Sequence, residues 1–432
     1  MIEKYLRNSI SKFLTKSKVI ALENDVPGPE ILRSKFSQIN ELGIYLHVPF
    51  CRQICPYCPY NKELFSPDKA ELYTRAVIKE IDIYGSILGR KPVTSLYIGG
   101  GTPTTMLYNG IEKILEHIHK TFTVKCGIHM ESHPNDLSPE NLDHIFGLGV
   151  RNLSIGIEAL QDKHLKFLKR PYSSAGAERA VNRAAEKGFA CLNTDFIFAL
   201  PGQTYREAEY TGRKLLRMGV DQVAAYPLFR FPYTKMGGTS DISNYRFSAL
   251  LKRRKMLKVI EDVFYGSGFE RTSVWAFTRQ GVPKYCSVTV PLYIGLGASG
   301  GSYLKDIFYL NTFNVAEYIK SMEKGGMAVS LSLDLSEEMQ MTGWLYWRIY
   351  ETKFRKDDFN KRFGRDFDSV YGRIIKPLTV LRFMKDNGNQ VVLSDRGTFW
   401  LHAVEDLFSI DYVSTLWGTS KQNPWPEKVN LS

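Results

Sequence analysis

The stretch GIYLHVPFCRQICPYCPYN, from Gly43 to Asn61, joins two signals. Its first half is a short apolar run of the kind that forms a strand. Its second half sets Cys51, Cys55 and Cys58 in a C-x3-C-x2-C spacing directly after that strand. Three thiolates on one loop can hold three irons of a cubane and leave the fourth without a protein ligand, an open place for a cofactor or substrate to chelate. Zinc is the other metal reading. Structural zinc takes four ligands, usually as two separated pairs, and no second Cys or His pair follows here at a matching distance. The remaining cysteines, Cys126, Cys191 and Cys286, are scattered and read as buried small hydrophobes. Six cysteines in 432 residues, three of them clustered, fit a metal site in a reducing compartment better than a disulfide framework.

Outward from this loop the chain alternates. Apolar runs at 43–48, 94–98, 126–131, 152–157, 191–198 and 221–229 are separated by stretches of helical spacing near 67–86, 109–120, 138–147, 173–187 and 204–217. Strand then helix, repeated, predicts right-handed crossovers and a parallel sheet covered by helices. Six such units predict an α/β fold, a partial parallel (β/α)6 TIM-like barrel over residues 41–235, with its active site at the C-terminal ends of the strands. Residues 236–310 contain a helical stretch at 244–267 and the Gly-rich segment GLGASGG at 295–301, and read as an extension of the barrel that reaches the substrate. Beyond these, Trp344, Tyr346, Trp347 and LSDRGTFWLHAVEDLF at 393–408 predict a smaller, mostly helical C-terminal domain over 311–432, with Pro424, Trp425 and Pro426 in a tail packed back on the body.

Hydrophobic residues make up 44% and charged residues 24%, as in an ordinary globular protein. No run of 18 apolar residues and no secretory signal is seen, so a cytoplasmic protein is expected. The net charge of +12 is concentrated in part at the start of the chain. Within the N-terminal extension 1–40, residues 1–20 place Lys4, Arg7, Lys12, Lys16 and Lys18 beside an apolar stripe of Ile2, Tyr5, Leu6, Ile10, Phe13 and Leu14. That basic amphipathic helix has two readings, a brace on the protein's own surface or a peripheral contact with the inner face of the membrane. No nucleic-acid partner is expected.

A second motif, Gly99-Gly100-Gly101-Thr102-Pro103, follows the second strand. Glycines there let backbone groups approach a ligand with no β-carbon in the way. At the ends of the next strands stand Glu131 in ESHP, Glu158 in NLSIGIEAL, Arg170, and Asp195 in NTDFIFALPGQT. Each alone reads as a surface charge; their shared position at strand ends makes them site candidates.

The cysteine spacing, with the aromatic Tyr57 before the third cysteine, resembles the radical S-adenosylmethionine superfamily. Tyr45, His47, Pro49 and Phe50, in YLHVPFC, are similar to the oxygen-independent coproporphyrinogen III oxidase family and its relatives. The resemblance covers about residues 41–410 and implies a 4Fe-4S cluster on Cys51, Cys55 and Cys58. The open iron would chelate the amino and carboxylate groups of S-adenosylmethionine, and one electron would split the sulfonium into methionine and a 5'-deoxyadenosyl radical. It also implies Tyr45 as a catalytic residue and, with Tyr57, a cofactor contact. Gly100, Gly101 and Thr102 match the loop that holds the methionyl amino group. Glu131 would bond that amino group, Arg170 the carboxylate, and Asp195 a ribose hydroxyl. A zwitterion needs one anion and one guanidinium, and a carboxylate grips a diol well. Glu158 departs from the pattern, which usually has Gln there; a glutamate still accepts from ribose hydroxyls but adds a negative charge near Asp195.

Past residue 265, ERTSVWAF, GLGASGGSY and the 393–408 segment are more similar to the branch of anaerobic heme-degrading radical methyltransferases, the class C radical methylases. That branch implies two S-adenosylmethionines, with Phe229 near the second, and methyl transfer to an sp2 carbon of a planar apolar substrate such as menaquinone or a tetrapyrrole. A coproporphyrinogen dehydrogenase and a heme chaperone are the alternatives. The chaperone branch carries a His-Asn pair where this chain reads PKYCSVTVPLY at 283–293. An electron donor such as flavodoxin or ferredoxin is implied in either enzyme reading.

Overall fold

The computed structural model describes residues 20–25, 27–37, 39–237, 247–285 and 292–431. The N-terminal basic helix and Cys286 lie outside them.

Six parallel strands run in sequence order: β1 (Leu42–Val48), β2 (Pro92–Gly100), β3 (Ile128–Ser132), β4 (Val150–Glu158), β5 (Cys191–Phe198) and β6 (Gln222–Pro227), each hydrogen-bonded to the next. The crossovers carry α1 (Pro67–Leu88), α2 (Glu112–Thr121), α3 (Pro139–Gly147), α4 (Ser174–Glu186) and α5 (Tyr205–Arg217). This is the partial (β/α)6 barrel that the alternating pattern predicts. The starts of the helices are written in the sequence: Ser138, Ser173 and Thr204 cap α3, α4 and α5, and Thr204 forms a reciprocal capping box with Glu207. Leu46, Leu96, Met130, Leu153 and Val223 from the strands pack with Val77, Ile81, Ile118 and Val181 from the helices in one continuous core.

The barrel stays open between its first and last strands. On one edge β7 (Ala276–Arg279) pairs antiparallel with β6, reached through α6 (Phe247–Tyr265). On the other edge β8 (Tyr293–Leu296) pairs parallel with β1. Past β7, Tyr285 is fixed to β6: Tyr285 N donates to Gln222 Oε1 at 3.0 Å and Gln222 Nε2 to Tyr285 O at 2.8 Å.

The sheet continues past residue 310, where a helical domain is expected. Antiparallel strands β9 (Gly301–Leu304), β10 (Ile307–Asn311) and β11 (Val329–Asp334) extend it from β8, so the boundary drawn at 310/311 falls inside β10. Between β10 and β11, α7 (Val315–Glu323) packs on α1. The tail strand Lys428–Asn430 pairs with Ala21–Glu23, which pairs in turn with β11. The separate unit begins with α8 (Glu337–Tyr350) and has its own core around Phe354, Phe359, Phe367 and Ile375. It is not helical throughout: Lys353–Arg355, Met384–Asp386 and Gln390–Leu393 form a three-stranded sheet beside α9 (Lys356–Phe363) and α10 (Phe367–Val380). Its last helix, α11 (Asp395–Gln422), runs back to the barrel, where Lys421 reaches the carbonyls of Pro59 and Tyr60. No helix among the described residues is long and apolar enough to cross a membrane.

Candidate active site

The cysteine loop is a closed excursion from the C-terminal end of β1. Phe50–Cys51 pairs with Glu63–Leu64, with Glu63 N donating to Pro49 O at 2.7 Å and Phe65 N to Cys51 O at 3.0 Å. Pinned at both ends, the loop presents Cys51, Cys55 and Cys58 as free cysteines. Thr102 Oγ1 donates to Cys51 Sγ at 3.4 Å, and Arg170 Nη1 donates to Cys55 Sγ at 3.2 Å. Burial pushes the Cys51 thiol up to about 12 and raises that of Cys58. Such thiols keep their protons until a metal displaces them. Among the described residues no three His, Cys, Asp or Glu side chains converge on a single ion. Three cysteines on one loop, two of them with a hydrogen-bond donor on the sulfur, fit an iron-sulfur cubane with one open iron.

The glycine loop owes its composition to protein neighbours as much as to a ligand. A β-carbon on Gly99 would lie 2.9 Å from the Glu131 carboxyl, one on Gly100 2.5 Å from the His47 ring, and one on Gly101 2.8 Å from the carbonyls of Val48 and Phe50. This closeness brings Gly101 N to Val48 O at 2.7 Å and Thr102 N to Phe50 O at 2.8 Å, fastening the loop under the cysteines. Gly100 N donates to Glu131 Oε2 at 3.0 Å.

Inside the barrel, alternate strand residues face a common lumen. Tyr45 on β1, Glu131 on β3, Gly156 and Glu158 on β4 and Asp195 on β5 are only partly buried while their neighbours are sealed. Glu131 Oε1 accepts from Tyr97 Oη at 2.6 Å, and Tyr97 Oη accepts from Tyr285 Oη at 2.9 Å. Burial raises the Glu131 pKa, and the Tyr97 and Gly100 hydrogen bonds oppose that shift. Asp195 accepts from Ser154 Oγ and Asn193 Nδ2, both at 2.9 Å; burial, with Glu158 second, pushes it up to about 7. Glu158 closes β4 with a left-handed backbone, φ 58°, which turns its side chain off the strand. It accepts from Tyr57 and lies 3.9 Å from Arg170 Nη1. Arg170 Nη2 donates to Gly156 O at 2.8 Å and Nε to Tyr172 Oη at 2.8 Å, so the guanidinium is held flat between Cys55 and the end of β4.

Tyr45 donates to His47 Nδ1 at 3.0 Å, because His47 Nε2 must carry the proton it gives to Asn61 O at 2.9 Å. Its ring faces the lumen 6.0 Å from Tyr97. Phe229 does not join this set. It packs against Phe231 and Trp275 at 6.4 and 6.2 Å, beyond the end of β6.

Several residues of the site are absent from the motif reading. Tyr97 could have been found, since it shares its strand face with Gly99 two residues on. Tyr60, next but one after Cys58, is half-exposed and turns its ring to Trp417 at 6.1 Å. Trp417 on α11, with rings of Tyr60, Tyr233 and Phe313 at 6.1, 6.4 and 5.7 Å, and Tyr285 come from distant segments with no local signature.

A model of the radical SAM superfamily matches residues 45–215, from β1 through α5. Those residues, which carry the cysteine loop and the strand-end groups, form a radical SAM domain, whose cofactors are a 4Fe-4S cluster and S-adenosylmethionine. Over most of its length the chain is similar to heme chaperones and to oxygen-independent coproporphyrinogen III oxidases. It is 24% identical over 360 residues to the heme chaperone HemW of Bacillus subtilis (strain 168), covering 82% of this chain and 95% of that protein. It is 23% identical over 357 residues to the oxygen-independent coproporphyrinogen III oxidase of Paracoccus denitrificans, covering 78% and 79%. The fold is that of the Escherichia coli coproporphyrinogen III oxidase HemN, a radical SAM enzyme, with a TM-score of 0.76 at 19% identity over 91% of this chain and 97% of that one.

Proposed function

We propose that the protein is an oxidase of the coproporphyrinogen dehydrogenase type, which cleaves S-adenosylmethionine and turns the radical on a side chain of a reduced tetrapyrrole. The observation that carries the first half is Arg170, whose guanidinium lies on Cys55 Sγ with Glu158 beside it. A cationic fork next to the open corner of a cluster suits the carboxylate of an amino acid chelated there. Glu131 is the counterpart for the amino group and Asp195 for the ribose, on strands to either side of the β4 end. When bound, the cluster and S-adenosylmethionine supply an electron and a carbon radical; the protein's part is to hold the cofactor, keep its carboxylates dry and exclude water from the lumen. Tyr45 belongs to the wall against which the radical is generated.

The tetrapyrrole half rests on the relatives, which span 78% to 86% of the chain and are named for heme or for its precursor. Methyl transfer to an aromatic carbon, the expectation drawn from residues past 265, has no counterpart among these names. Phe229, expected near a second S-adenosylmethionine, lies edge-on to Trp275 at 6.2 Å, a contact that neither supports nor opposes a second cofactor. The chaperone reading has a specific observation of its own, the 95% and 98% coverage of two proteins named heme chaperone HemW. The absence of a His-Asn pair in PKYCSVTVPLY at 283–293 speaks for the oxidase.

The test is anaerobic incubation of reconstituted protein with coproporphyrinogen III, S-adenosylmethionine and a reductant. Decarboxylated porphyrinogen formed alongside 5'-deoxyadenosine supports the oxidase. Tight stoichiometric heme binding with no turnover would replace it by the chaperone, and a product heavier by one methyl group would restore the methylase.

A further inference from the structure

The cysteine loop has two sides. Cys55 turns its sulfur to Arg170 and the lumen. The backbone after Cys58 turns outward, to the helices that cover the barrel. There Lys62 Nζ donates to Cys58 O at 2.6 Å and Tyr60 O at 3.0 Å, and Lys421, from the end of α11, donates to Pro59 O at 3.0 Å and Tyr60 O at 3.4 Å. The two ammonium groups share one carbonyl. They open on a cleft of about 390 Å³ between the loop, the start of α1 and the start of α7, lined also by Lys69, Glu63, Phe313 and Asn314. Glu63 is paired with Lys69 at 2.9 Å. Among the described residues neither Lys62 nor Lys421 has a carboxylate within ion-pair reach, and burial, with Lys62 next, lowers Lys421 to about 8.

Two ammonium groups crowded on one loop, with the Glu63 carboxylate of the cleft already paired to Lys69, raise each other's energy, and an approaching anion relieves it. The place is singular, because a single peptide carbonyl separates the Lys62 ammonium from the residue that ligates the cluster. An electron entering here need not cross the lumen that the cofactor and substrate fill.

We propose that this cleft, with Lys62 and Lys421 at its floor, is where the electron donor docks, and that the donor is a small redox protein with an acidic surface around its flavin or iron-sulfur centre. The proposal rests on the radical SAM reading. Lys421 comes from the C-terminal helix, so the donor site is complete only when that helix is seated against the cluster loop. Opposite charges steer such encounters and set their rate more than their final affinity.

The experiment compares two reductants on the same reconstituted enzyme, reduced flavodoxin and dithionite, with 5'-deoxyadenosine formation as the readout. The charge-reversed pair Lys62→Glu and Lys421→Glu, and the milder Lys62→Gln and Lys421→Gln, are each checked first for iron content. With dithionite the variants should match the wild type, which shows that the cluster and cofactor sites are intact. With flavodoxin at low salt the charge-reversed pair should be slower by about tenfold or more, and the wild-type rate should fall with salt while the variant rate hardly changes. An equal loss with both reductants, an unchanged rate with flavodoxin, or a raised KM for the tetrapyrrole with normal cofactor cleavage would each overturn the proposal. Failure of dithionite to drive cleavage in the wild type would instead sink the radical SAM reading itself.

Discussion

At the scale of single residues, each strand-end group predicts its own loss on substitution. Arg170→Ala should leave the cluster in place and weaken S-adenosylmethionine binding by roughly 1.5 to 3 kcal/mol, on the order of 10- to 100-fold. Equilibrium binding to the reconstituted variant measures this, and an unchanged affinity would remove Arg170 from the site. Asp195 makes a pH prediction. Burial raises it to about 7, so falling pH protonates it below that value. A neutral carboxyl grips a diol less strongly than a carboxylate, so affinity should rise with pH through about 7 and level off above it, and Asp195→Asn should flatten the curve. The cysteines, the glycine run and the strand-end charges were all legible in the sequence because each sits next to a local motif. Tyr97 was within reach of the same reading, two residues before Gly99 on one strand face, whereas Tyr60, Tyr285 and Trp417 were not, since their roles come from rings brought together by the fold.

At the scale of elements, the buried Glu80 on α1 ties the Gly-rich segment to the barrel. Its carboxyl accepts from Gly297 N at 2.7 Å, Tyr318 Oη at 2.6 Å and Asn311 Nδ2 at 2.7 Å, joining α1, the β8–β9 turn, β10 and α7. Glu80→Ala leaves three buried donors unmet, at a cost of about 1 to 3 kcal/mol for each left unsolvated. The melting temperature should fall by several degrees, and Tyr318→Phe, which removes one donor and leaves two, should fall by less. A melting temperature unchanged in Glu80→Ala would show that water replaces the carboxyl freely. The six parallel strands were readable because buried parallel strands are nearly continuous apolar runs. Strand β11, VSLSLD, was not, because its alternating pattern is short and falls inside a region of helical, aromatic-rich spacing. The strands of the small C-terminal sheet have three or four residues each, below the length at which periodicity says anything.

At the scale of the whole molecule, the partial barrel brings three thiolates, one guanidinium and the carboxylates of three strands to one end, and α11 returns from the C-terminal unit to cover them. The sequence pattern could place the barrel but not this return, since nothing local in residues 393–422 says which surface the helix meets. The central claim is that Cys51, Cys55 and Cys58 hold a cluster that cleaves S-adenosylmethionine. Its most direct test is one paired measurement of iron content and reductant-driven 5'-deoxyadenosine formation in anaerobically reconstituted wild type and Cys55→Ala. The wild type should bind about four irons per chain and form 5'-deoxyadenosine, and the variant should lose the brown chromophore and the cleavage together. A variant that keeps a full cluster and still cleaves the cofactor would contradict the account.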